Sequence, residues 1–201
     1  MADRAFVLGL SCVHGADKMT LTQRLMRDYP NADLLRHSDF PAITRMSSAE
    51  VRDWFARGGD PNEFPMTELV DELARRTRLR APDLSRPLLL FDTPFGRRHH
   101  ASGAFIDLLV WIDTPFDLAL SRSLLSFVDQ AQRDPAPGAK SDFLQWQRKY
   151  LANYETTRAM YVVQRETLLP SADLVLDGGE AVEVSAERIR RALAARGVTS
   201  L

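Results

Sequence analysis

In the stretch VLGLSCVHGADKMTLTQRL (7–25), an apolar run passes through a turn to Lys18 and then into a helix-patterned segment. A lysine placed there can reach an anion held at the helix N-terminus, where backbone N–H groups and the helix dipole favour negative charge. A phosphate loop works this way, with a Ser or Thr hydroxyl beside the lysine to hold magnesium. With Lys18 in the lysine position, the first glycine of such a loop becomes Cys12. The glycine before the lysine becomes Asp17, and the hydroxyl residue becomes Met19. The segment that would wrap the phosphates is then Cys12, Val13, His14, Gly15, Ala16, Asp17, Lys18, Met19 and Thr20.

Asp17 is the consequential departure. A carboxylate about 4 Å from a phosphate oxygen costs roughly 1 kcal/mol in water and about 4 kcal/mol at an effective dielectric near 20. Met19 cannot ligate magnesium, and Thr20 lies about 100° further round the helix. Two outcomes fit: nucleotide binding is weak or absent, or Asp17 itself helps hold the metal in place of the missing hydroxyl. The plain alternative is a strand-to-helix turn with Asp17 as its N-cap.

Other chemistry-bearing residues fall in loops after apolar runs. Asp39, in RHSDF, follows a strand, where it could be functional or cap a turn before Pro41. Asp92 ends the run LLLFD, where it could be functional, cap a helix or pair with Arg97 or Arg98. The following RRHH (97–100) is either a solvated charged loop or an anion site. His14, His37, His99 and His100 are all four histidines of the chain. Imidazole and carboxylate together suit zinc or manganese, although no paired spacing supports such a site. Cys12 at a helix N-terminus is a nucleophile or a small apolar filler.

The elements that must position these residues alternate. Strands are expected at 5–10, 32–37, 86–92, 105–113 and 172–178, and helices at 18–29, 47–59, 66–79, 115–132, 142–168 and 181–196. Strands that read as solid apolar runs between helices imply an α/β fold, a three-layer sandwich around a five-stranded parallel sheet. Ligands of such sheets sit at the carboxyl ends of the strands, where segments 11–17, 37–41, 92–100 and 113–116 converge. Trp54, Phe55, Phe64, Trp146, Tyr150, Tyr154 and Tyr161 read as packing along helices. The segment 133–142 reads as the most mobile.

Bulk properties narrow the classes. A chain of 201 residues fits a single domain, 1–201, with 45% apolar and 26% charged residues. A net charge of -1 supplies no global attraction to nucleic acid or to an anionic membrane. The sequence leaves a homodimer open. One cysteine and no leader-like or spanning segment point to a reducing, cytoplasmic setting.

Taken in order, VLGLSCVHGADKMTLTQRL, RHSDF, LLLFDTPFGRRHH, IDLLVWIDTPFDLALSR and PSADLVLDG resemble P-loop kinases of the uridine kinase and nicotinamide riboside kinase type. The resemblance spans about residues 5–195. It is specific at 86–122 and 170–178 and poor at the loop, a degenerate Walker A. It implies a phosphotransferase using ATP or GTP with magnesium, acting on a hydroxyl of a nucleoside or other small metabolite. It implies Lys18 on the transferring phosphate, Asp39 as base, Asp92 near the metal, and Arg122 as a lid arginine within a helical lid at 123–145. Phe40, Arg97 and His99 would face the substrate. The lid is thin in arginine, with Ser123, Ser126 and Phe127 where more charge is expected, which weakens transition-state stabilisation. A catalytically impaired pseudokinase that binds a nucleotide or other ligand is therefore the second reading, and metal-assisted chemistry on the same scaffold a third.

Overall fold

The computed structural model describes residues 4–40, 46–78, 87–133 and 139–199. Strand β1 (Phe6–Cys12) leads to helix α1 (Lys18–Asp28), and β2 (Asp33–Arg36) to α2 (Ser48–Ala56) and α3 (Thr67–Thr77). Then come β3 (Leu88–Asp92), the short α4 (His100–Gly103), β4 (Leu108–Asp113) and α5 (Phe116–Arg133). Helices α6 (Ala139–Ala152) and α7 (Tyr154–Leu168) precede β5 (Leu174–Asp177) and α8 (Val182–Ala194).

The five strands form one sheet in the order β2-β3-β1-β4-β5, every pair parallel. This is the α/β architecture expected from the apolar runs. All seven residues of β1 are buried, because helices cover both faces of the central strand. On one face Phe6, Leu8 and Leu10 pack with Leu21 and Leu25 of α1 and Ile189 and Leu193 of α8. On the other face Val7, Leu89, Phe91 and Leu109 pack with Leu69 and Leu73 of α3. The strand period of two assigns alternate side chains to the two cores.

Register sets the height of the site. Asp92 is level with Leu10 of β1 and Arg36 of β2, and Asp113 is level with Asp177. The carboxyl ends of four neighbouring strands therefore finish together, each opening into a loop that carries candidate residues.

Three expectations change. The helix expected at 142–168 is two helices, because Asn153 turns its amide onto the Lys149 carbonyl (2.7 Å) and leaves helical geometry. The loop after β3 contains α4, capped by the buried His99. Helix α2 covers 48–56 of the expected 47–59, with Ser47 as its N-cap in a reciprocal capping box with Glu50. Of the segment expected to be mobile, 134–138 lie outside the described residues, as do 41–45 beyond Phe40. Among the described residues, no helix is long and apolar enough to cross a membrane.

Candidate active site

Lys18 is the first residue of α1, and its ammonium pairs with the Asp92 carboxylate at the end of β3. Both side chains are about a quarter exposed or less, 19% and 27%, so the pair is shielded but open on one side. Burial would lower the Lys18 pKa, yet attraction from the Cys12 sulfur and from Asp92, together with the Asp92 hydrogen bond, outweighs it and raises the value. Lys18 is therefore a fixed cation beside a carboxylate at the mouth of the sheet. The partner of Asp92 is this lysine and not Arg97 or Arg98.

The loop before Lys18 has an unusual backbone. Gly15 (φ 85°) and Asp17 (φ 60°) are both left-handed, on either side of Ala16. Alternation of this kind turns successive N–H groups towards one side, as in anion-binding nests. The Ala16 N–H donates to the Val13 carbonyl at 3.3 Å, and the first helical bond runs from the Leu21 N–H to the Asp17 carbonyl. The N–H groups of residues 17–20 are thus the orphan donors of α1, aimed past Lys18. Asp17 occupies the N-cap position but makes no capping bond to the backbone; its carboxylate accepts from the Thr20 hydroxyl instead.

Gly15 cannot be replaced. A Cβ there would stand 2.0 Å from the Ala119 carbonyl oxygen of α5. Left-handed strain and overpacking together predict that Gly15→Ala loses about 3 kcal/mol, read by chemical denaturation. An unchanged midpoint would contradict the close loop–helix contact. His14 reinforces that contact by stacking on Phe127 (5.9 Å, 26°), the start of an aromatic row through Trp146, Tyr150 and Tyr154. Burial and Lys18 lower the His14 pKa, and burial raises that of Cys12, so at neutral pH the first is an uncharged ring and the second a buried thiol. Cys12 is core filler here, not a nucleophile.

Asp39 ends the short turn His37–Asp39 that follows β2, and it is exposed. His37 beneath it is buried, with its Nε2 3.1 Å from the Met66 sulfur and its ring edge-on to Phe95 at 5.2 Å. Burial and His99 push its pKa down to about 4, against the pull of Asp92. Unfolded histidine titrates near 6.5, so below that pH the unfolded chain binds the extra proton. Stability is complete above pH ~6.5 and falls by about 1.4 kcal/mol per unit, on the order of 3 kcal/mol in all, as pH drops towards 4. Denaturant titrations of the protein and of His37→Gln should differ by that slope; parallel pH profiles would exclude His37 as its source.

Two residues expected at the substrate lie elsewhere. The Arg97 guanidinium pairs with Asp173 (2.6 Å) and donates to the Ser171 and Ile106 carbonyls. Those partners precede β5 and β4, so Arg97 staples the amino ends of the strands, away from the site. His99 is only 2% exposed, contacts the Phe64 carbonyl at 3.0 Å and accepts from the Ser102 N–H at 3.3 Å. Both are scaffold, because the 3-10 turn at 96–98 and α4 redirect the chain. Phe40, half-buried, packs against the core with Phe64 and Phe95. Trp54 joins them edge-on, so Asp39 stands on an aromatic base.

Arg122 donates to the Gly178 carbonyl at 2.8 Å and borders a cavity of about 50 Å³ with Ala16, Asp17 and Glu180. It therefore flanks the loop on the side opposite Asp39. A larger open groove of about 630 Å³ runs along the β4–β5 edge. Arg165 grips Asp113 there through two bonds of 2.7 Å, and Arg188 pairs with Glu180 at 3.6 Å and donates to the Val175 carbonyl. The Arg165 contact went unseen in the sequence because Asp113 and Arg165 lie on separate elements with no shared spacing. Among the described residues, no group of three or more His, Cys, Asp or Glu could hold a metal ion, so the four histidines do not form a transition-metal site. A hard cation that keeps most of its waters and phosphate ligands needs only one or two carboxylates. Asp92 offers one at the strand end, whereas Asp17 turns to the Thr20 hydroxyl and the Arg122 cavity.

No protein-family model and no curated protein matches this sequence. Among solved structures, the chain is similar to a sugar kinase from Janibacter sp., with 15% identity, 97% of this chain and 99% of that chain covered, and a TM-score of 0.54. It is also similar to shikimate kinase from Aquifex aeolicus, with 14% identity, 95% and 98% covered, and a TM-score of 0.51. At such identities these likenesses show a shared α/β fold and do not confirm the uridine kinase-like resemblance.

Proposed function

We propose that the protein is an ATP- or GTP-dependent phosphotransferase acting on a hydroxyl of a nucleoside or another small metabolite. The observation that carries the reading is the Lys18–Asp92 pair, set between the orphan donors of α1 and the Asp39 turn. Residues 12–20 cradle the donor's phosphates, and Lys18 leaves Asp92 to contact the transferring one. Asp92 would then be free to hold magnesium, which would offset the charge of the phosphates. Asp39 orients the acceptor hydroxyl and takes its proton as oxygen bonds to phosphorus and the bond to the nucleoside diphosphate breaks. Arg122 borders the donor side, and the reaction belongs to the cytoplasm.

Thermal unfolding with magnesium and ATP or GTP tests the donor half. A nucleotide at a hundred times its dissociation constant stabilises the native state by about 2.7 kcal/mol, a shift of a few degrees for a chain of this size. Phosphate transfer across a panel of nucleosides and sugars tests the rest. No shift and no transfer would end this proposal.

Asp17 and Met19 favour one other reading, a pseudokinase that keeps the fold and a ligand but no longer transfers phosphate. It expects a thermal shift without transfer.

A further inference from the structure

We infer that Gln164 of α7 is a positioning residue that ties the phosphate loop to the acceptor-side loop. Its amide Nε2 donates to the Pro94 carbonyl at 2.8 Å and to the Cys12 carbonyl at 3.3 Å. Both partners are acceptors, so the amide orientation is dictated: only the NH₂ end can face them. Cys12 is the last residue of β1 and opens the loop that ends in Lys18. Pro94 precedes Phe95, whose ring meets His37 two residues before Asp39. One half-buried side chain therefore joins the loop after β1, which leads to Lys18, to the loop after β3, which follows Asp92 and meets the Asp39 turn through Phe95. A 152-residue and a 70-residue separation converge on it.

The helix that carries Gln164 is otherwise anchored to the same edge. Arg165 holds Asp113 at the end of β4, and the Tyr154 hydroxyl donates to the Phe116 carbonyl at the start of α5. Calling the two loops donor and acceptor rests on the phosphotransfer proposal; the tie between them does not.

The test uses the full chain and two substitutions. Gln164→Leu keeps the volume and removes both donors, while Gln164→Glu sets carboxylate oxygens against two carbonyls. Amide hydrogen exchange should quicken about two- to tenfold at both 12–18 and 93–99, with the interior of β1 and β3 unchanged. Change at one loop only, at neither, or uniformly across the sheet would overturn the inference. With an acceptor found in the panel, kcat should fall about tenfold while KM for ATP stays within twofold. A matching rise in KM would make Gln164 a binding or structural residue instead. If the protein transfers no phosphate at all, the proposed function fails, and hydrogen exchange alone still decides the coupling.

Discussion

Changing Asp39 to asparagine is expected to cut kcat by roughly 10²- to 10⁴-fold, the range for loss of a positioned proton acceptor. Nucleotide affinity and stability should hardly move. The asymmetry follows from placement: Asp39 is exposed, on a three-residue turn beyond β2, and supports no part of the core. Asparagine preserves the shape and the turn preference while removing the charge. Calorimetry with magnesium and ATP, run beside the transfer assay, separates the two effects. A variant that transfers phosphate at the parent rate would remove Asp39 from the reaction, and a variant that loses nucleotide binding would move it to the donor side.

Restoring the loop should produce a gain of comparable size. The double substitution Asp17→Gly with Met19→Thr removes a carboxylate from the rim and returns a magnesium-binding hydroxyl to the position after the lysine. A carboxylate about 4 Å from a phosphate oxygen opposes it by roughly 1 to 4 kcal/mol, which converts to a gain in ATP affinity between about five-fold and several hundred-fold. Stability should rise as well, by about 1 kcal/mol, because Asp17 sits at φ 60° where glycine carries no Cβ penalty. Met19 is 66% exposed, so its replacement leaves the core intact. Asp17→Gly alone distinguishes charge from metal ligation: if Asp17 itself holds magnesium, that single change weakens nucleotide binding. An unaltered affinity in the double variant would refute this account of the loop.

Local pattern carried most of the architecture. The runs AFVLGL and FIDLLVWID read as strands buried on both faces, and their alternation with amphipathic segments pointed to a parallel sheet. The single lysine after β1 and the acid ending β3 were readable as candidates for the same reason, since such sheets bind ligands where their strands end. Where one side chain competes with a regular backbone, pattern misleads. Asn153 breaks a helix that its neighbours would have continued, and nothing in its immediate surroundings announces it.

The sequence by itself settled the layers, the strand count and the edge on which chemistry must gather, because burial period and connection length are local properties of the chain. Tertiary structure alone decided who meets whom on that edge. It gave Asp92 to Lys18, sent Arg97 to the far end of the strands with Asp173, sealed His99 under the Phe64 carbonyl and brought Gln164 between two loops. Those pairings join residues as many as 152 positions apart, and such contacts depend on register and packing, which no local pattern of charge or hydropathy encodes.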